Sequence, residues 1–74
     1  MILGLDISTS IVGATVLDTD GEVVYCEAWD LRNKNKFPSL YSKAVFVKAK
    51  LWEVDDSFGI DKIFIEQSLQ SFRS

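Results

Sequence analysis

Two acidic side chains stand where carboxylate chemistry would need them. Asp6 lies in the apolar run Ile2 to Ile7, just before the polar turn Ser8-Thr9-Ser10, and Glu66 directly follows Ile63-Phe64-Ile65. An acid at the end of a buried strand is well placed for catalysis, because α/β sheets put their sites at the carboxyl ends of parallel strands. The other common catalytic groups are scarce. Cys26 is the only cysteine and there is no histidine. A Ser-His pair, a Cys-His pair, a His/Cys metal cluster and an internal disulfide are all excluded. Acid-base work falls to carboxylates, lysines, tyrosines or a metal-bound water, and any metal must be held by oxygen, which favours Mg²⁺ or Mn²⁺. Two close carboxylates repel unless one is protonated or a divalent cation lies between them. With two metals about 3.5–4 Å apart, such a set forms the clamp that hydrolyses phosphodiesters by in-line attack of water. A lone Asp at a strand end more often caps a turn, and a lone Glu more often faces solvent. The matched positions of the pair bring the metal reading level with those two.

The elements that must position these acids can be read from periodicity. Ile2 to Ile7 predicts a strand, Gly13 to Leu17 a second and Glu22 to Trp29 a third. Asp18-Thr19-Asp20-Gly21 predicts a tight primed hairpin between the last two. In the third strand, Val23, Tyr25 and Glu27 are expected on one face, with Val24, Cys26 and Ala28 on the other and Cys26 as packing. Asp30 to Pro38 is a polar loop carrying Arg32, Lys34 and Lys36. Ser39 is an N-cap, with Ser42 where a capping box has an acid or amide. Leu40, Ala44, Val47, Leu51, Val54 and Phe58 recur at helical spacing and predict one buried face, closed by Gly59 as the C′ residue. Ile60 to Glu66 returns to strand, and its consecutive apolar residues predict burial on both faces of a parallel sheet. A crossover helix lets this strand pair beside the first and bring Asp6 next to Glu66. Leu69 and Phe72 mark the possible start of another helix. A βββαβ unit alone leaves one sheet face largely uncovered, which implies a longer natural protein.

Composition bounds the rest. The 74 residues are 47% hydrophobic and 26% charged, which fits one small globular domain. No apolar run approaches the ~18 residues of a membrane span, and the start lacks the basic and apolar regions of a signal peptide. A reducing, cytoplasmic setting is the simplest reading. The net charge of −3 counts against nucleic acid as a partner, although phosphate contacts need only a local basic patch. Arg32, Lys34 and Lys36 form such a patch or a plain solvated loop. Lys43 and Lys50, seven apart on the helix, share one face, which serves phosphate contacts or is plain solvent exposure, and Trp29 and Trp52 read as partial core.

The segments DISTSIVG, ATVLDTDG and IFIEQSLQSF together resemble the RuvC-like Holliday junction resolvases. That family opens with the same strand, acid, polar turn and glycine, and its second acidic motif is an apolar strand ending in Ile-Glu-Gln or Ile-Glu-Glu. The SLQSFRS continuation departs from the family's usual bacterial form, which points to a phage-type member. The resemblance covers residues 1–74, about half of a full family member. It implies an α/β, RNase H-like fold: a three-stranded antiparallel meander, a crossover helix and a parallel fourth strand. It implies a metal-dependent endonuclease of DNA recombination and repair, a homodimer acting on four-way DNA junctions, in a bacterial or phage-infected cytoplasm and with no membrane partner. Asp6 and Glu66 take the roles of the first two catalytic, metal-binding acids of a two-metal Mg²⁺ or Mn²⁺ site. Two further carboxylates expected near the family's C-terminus have no counterpart here. Ser8, Arg32, Lys34, Lys36, Gln67, Leu69, Phe72 and Arg73 are the expected DNA contacts. Leu69 stands where the family often has a base-stacking aromatic, a role Phe72 would take instead. Ile7-Ser8 replaces the family's Pro-Gly. An actin-like ATPase or sugar kinase is the alternative, since DISTS followed by VLDTDGEVV loosely matches its first phosphate motif, but that family has glycine where Ser8 stands.

Overall fold

A computed structural model describes residues 1–67. They form a small α/β fold, a four-stranded mixed sheet with one helix on one face. Strands β1 (Ile2–Ile7), β2 (Ile11–Leu17) and β3 (Val23–Asp30) form an antiparallel meander. Helix α1 (Leu40–Phe58) crosses over to β4 (Lys62–Gln67), which pairs parallel to β1. The sheet order is β3-β2-β1-β4, so β3 and β4 are its outer strands.

Strand alternation decides the two faces. Leu3 and Leu5 of β1, Val12, Ala14 and Val16 of β2, and Trp29 of β3 point toward the helix side and are buried. Leu31 and Phe37 of the following loop and Val54 of α1 complete this core. Each fully buried side chain of this size stabilises by roughly 1.5–3 kcal/mol. The opposite face is open, with Asp6, Cys26, Ala28 and Glu66 exposed on it.

Local chemistry sets the ends of the elements. Ser39 Oγ accepts from Ser42 N at 3.1 Å, and Ser42 Oγ accepts from Ser39 N at 3.2 Å, so serine alone closes the capping box. Gly59 adopts φ 65°, the left-handed region that a side chain resists, and its N–H donates to Asp55 O. The chain start is tied to the same place: the Met1 ammonium donates to Gly59 O at 3.1 Å and to Asp61 Oδ2 at 2.7 Å. That contact holds the Asp61 carboxyl below its usual range.

Several expectations are corrected by this packing. The β2–β3 loop is not a primed two-residue turn. It is a three-residue loop, closed by Asp18 N to Glu22 O and Gly21 N to Asp18 O, and only Gly21 has positive φ. This is the turn-plus-bulge alternative, which needs one left-handed residue rather than two. A register shift at Val16/Leu17 follows it, and Tyr25, Glu27 and Trp29 oppose Val16, Ala14 and Val12. Val23 pairs instead with Leu17, and the irregularity separates it from the face of Tyr25 and Glu27. Cys26 is exposed rather than packed. Of the predicted helix face, Val47, Leu51, Val54 and Phe58 pack on the core, but Leu40 is 69% exposed and Ala44 is exposed. The seam is rotated toward Lys43, Phe46 and Lys50, because α1 lies over the meander rather than over β4. For the same reason β4 is not covered on its helix side, where Ile63 and Ile65 are 53% and 61% exposed, and Phe64, on the open face, is 61% exposed. Trp52, at 60%, is exposed rather than partial core, whereas Trp29 is fully in the core.

Candidate functional site

The parallel pairing of β1 with β4 brings the two acids together. Asp6 and Glu66 are register partners on neighbouring strands, about 4.8 Å apart in the strand-to-strand direction. Both lie near the carboxyl ends of their strands, on the open face and in solvent. The surrounding surface is a shallow depression lined by Gly4, Gly13, Thr15 and Phe64 beside the two carboxylates. Glycine makes it shallow on one side: Gly13 faces Asp6 across the β1–β2 pair, and a Cβ there would lie 3.7 Å from Asp6 Cβ. A two-residue alternation of Ile2, Gly4 and Asp6 against Leu3, Leu5 and Ile7 carries the signal for this face in the sequence. Gly4, Thr15 and Phe64 were not among the residues expected at the site.

Among the described residues no group of three or more His, Cys, Asp or Glu is arranged to hold a metal. The donor set is therefore two carboxylates. Mg²⁺ accepts that number, since it keeps several waters and takes one or two carboxylates together with substrate phosphates.

Ser8 builds the turn between β1 and β2. Its Oγ accepts from Ser10 N at 3.2 Å and Ile11 N at 3.0 Å, and donates to Ile11 O at 2.8 Å. The Ser10 and Ile11 amides are thereby taken up by the chain itself. From the helix side Lys43 Nζ donates to Thr9 O.

The basic loop lies at the same end of the sheet as the acids. The registers Ile7 with Val12, Ile11 with Asp30, and Ile7 with Gln67 put the carboxyl ends of β1, β3 and β4 together. The outer strands are three spacings apart, about 14 Å. Arg32 is exposed but engaged: its Nε and Nη2 donate to the two oxygens of Asp30 at 2.9 and 2.7 Å. This fork holds the Asp30 carboxyl down to about 2. Lys36 sits 5.7 Å from the ring centres of both Phe37 and Phe46, and Lys34 is exposed. Gln67 is the register partner of Ile7. Leu69, Phe72 and Arg73 lie outside the described residues.

A second polar cluster joins the helix to β3. Glu27 Oε1 accepts from Tyr25 OH and Trp29 Nε1, both at 2.9 Å, and lies 3.5 Å from Lys50 Nζ. The Tyr25 hydroxyl bond is the main reason that the Glu27 carboxyl is lowered, and burial is the main reason that Tyr25 is raised. Lys50 also lies 5.9 Å from the Trp29 ring centre. Lys50 is thus a packing residue.

No protein-family model matches the chain, and neither a curated protein nor a solved structure matches it. Among the described residues, no helix is long and apolar enough to cross a membrane.

Proposed function

We propose that the chain is the acidic half-site of a metal-dependent, structure-specific DNA endonuclease, a RuvC-like resolvase of four-way junctions on an RNase H-like fold. The observation that carries this reading is the in-register placement of Asp6 and Glu66 on the parallel pair β1 and β4, on an open face. Asp6 and Glu66 hold Mg²⁺ or Mn²⁺, and when bound the metal pair supplies an activated water and charge stabilisation for phosphodiester hydrolysis. The open face leaves room for a duplex, and Arg32, Lys34 and Lys36 meet phosphates from the loop at the same end of the sheet. Gln67, Leu69, Phe72 and Arg73 are the further DNA contacts that the resemblance implies, and Ser8 shapes the turn that borders the acids. The active form is a cytoplasmic homodimer.

Nothing in the geometry favours the phosphate-loop alternative. A loop that wraps phosphate uses free backbone amides. In this turn the Ser10 and Ile11 amides serve Ser8.

The test is binding and cleavage of a synthetic four-way junction with Mg²⁺. The 74 residues alone bind the junction but do not cleave at an enzymatic rate, because two of four expected carboxylates are not among them. In a form that supplies those two, Asp6→Asn or Glu66→Gln abolishes cleavage and leaves junction binding equal or tighter, since a charge that repels phosphate is gone. Cleavage near wild type in either variant would falsify the two-carboxylate mechanism. ATP hydrolysis in the absence of junction binding would put the kinase-like reading in its place.

A further inference from the structure

We infer that the DNA strand held at Asp6 and Glu66 continues along the open face of β4, with a nucleoside against Phe64 and a phosphate on Lys62. This path rests on the nuclease reading and extends it, because the DNA contacts expected from the sequence either lie at the carboxyl end of the sheet or follow β4 in the chain. The four strands carry one basic residue, Lys62, at the amino end of β4. Strand alternation puts Lys62, Phe64 and Glu66 on the open face, beside Ile2, Gly4 and Asp6 of β1. Cation, ring and acid thus follow one another along one strand. Lys62 is exposed, and among the described residues it makes no ion pair. The carboxylate before it in the chain, Asp61, is held by the Met1 ammonium at 2.7 Å. Phe64 is more than half exposed and lines the same depression as the two acids.

The surface beside this column has room for a close approach. Gly4 is the register partner of Phe64, and Gly13 that of Asp6. Neither glycine has positive φ. A Cβ at Gly4 meets nothing nearer than Thr15 O at 3.9 Å, and one at Gly13 meets Asp6 Cβ at 3.7 Å, both ordinary contacts. The fold therefore accepts alanine at either place, and glycine inside a strand weakens it unless another chain or a ligand comes close. Lys62 stands four residues from Glu66 along β4, about 13 Å. That is the axial rise of roughly four nucleotides in one strand of a duplex. Lys62 also lies on the far side of the acids from Arg32, Lys34 and Lys36, because Ile2 pairs with Lys62 and Leu17 while the basic loop follows Asp30 at the other end of the sheet. A strand gripped on both sides of the acids cannot pivot about them, and a fixed orientation of the scissile phosphate is what in-line attack requires.

The experiment is fluorescence anisotropy of a labelled synthetic four-way junction with the full chain and Mg²⁺, at a series of salt concentrations. Lys62→Gln is expected to weaken binding and to reduce the slope of log K against log salt by about 1, as one phosphate fewer is neutralised. Lys62→Arg is expected to restore both, which a merely structural role of the lysine would not require. Phe64→Ala is expected to weaken binding roughly fivefold with the slope unchanged, because an apolar contact releases no counterions. Circular dichroism confirms that each exposed substitution leaves the fold intact. A Lys62→Gln chain with the wild-type slope, a Lys62→Arg chain that does not recover it, or a Phe64→Ala chain that binds like wild type overturns the inference. A wild-type chain that binds no junction overturns the nuclease reading together with it. Junction binding that is present but indifferent to residues 62 and 64 overturns the path along β4 alone, so the two failures are told apart.

Discussion

At the scale of single residues, the Arg32–Asp30 ion pair sets how the basic loop can act. Arg32 is the best phosphate ligand of the loop by chemistry, because its guanidinium forks onto two oxygens. Asp30 occupies that fork. Asp30→Asn removes the competing carboxylate, so junction binding should tighten, and the slope of log K against log salt should steepen by about 1 as one more phosphate is neutralised. Fluorescence anisotropy at a series of salt concentrations measures both; an unchanged slope would mean that Arg32 never reaches the DNA. Asp30 and Glu27, with Asp61, also contribute to the acid sensitivity of the fold. Asp30 and Glu27 are both lowered in the folded chain. A lowered carboxyl stabilises the fold above its unfolded value and loses that contribution as pH falls through the folded value. For Asp30 the window runs from 3.8 down to about 2. Urea midpoints should therefore fall across this range, and Glu27→Gln should flatten the part of the decline just below 4.5. A Glu27→Gln profile superimposable on wild type would show the Tyr25–Glu27–Trp29 cluster to be energetically idle.

At the scale of elements, α1 shows what local signals determine and what they leave open. Its start and stop were legible, since Ser39, Ser42 and Gly59 act on amides within a few residues of themselves. So were the meander and the return to strand. The buried face was only half legible. Helical spacing fixes which residues share a stripe, but the seat of the helix on the sheet decides how far that stripe is turned. Here it turns toward β3, because Lys50 meets Glu27 and Lys43 meets Thr9, partners distant in sequence that no periodicity reveals. The apolar run of β4 likewise gives a strand but not its cover. Alanine substitutions measure the seat directly. Val54→Ala should cost about 1–3 kcal/mol, half-buried Leu51→Ala a similar amount at most, and Leu40→Ala under ~0.5 kcal/mol. A Leu40 loss equal to that of Val54 would return the helix to the face its spacing alone predicts. The last turn also carries Asp55 and Asp56 and no basic residue, against the helix dipole. Asp55 bonds Ile60 N, but Asp56 is exposed, and Asp56→Lys should stabilise by about 0.3–1 kcal/mol in thermal melts at low salt.

At the scale of the whole molecule, the acids are a local liability in an already acidic chain. The net charge is −3, and Asp6 and Glu66 face one another in register with no basic residue opposite either across the β1–β2 or β1–β4 pairing. Like charges directly opposed on neighbouring strands are destabilising. Without a cation, then, Asp6→Asn and Glu66→Gln should each raise the melting temperature, the reverse of what loss of an ordinary polar contact does. A cation that binds only the folded chain changes the sign. At a free concentration one hundred times its dissociation constant it stabilises by about 2.7 kcal/mol, and each kcal/mol moves the melting temperature of a domain this size by roughly 4–8 °C. The wild-type chain should therefore melt higher with Mg²⁺ than with EDTA. The two variants should start higher in EDTA and gain little from Mg²⁺, so that the curves cross as metal is added. Mn²⁺ supplies a second, structural readout, since its paramagnetism should broaden the amide resonances of Gly4, Gly13, Thr15 and Phe64, which line the depression, before those of the distant Asp18–Glu22 loop. If the variants gain as much from Mg²⁺ as wild type does, or if broadening begins elsewhere, the carboxylate pair is a feature of the sheet edge and not a metal site.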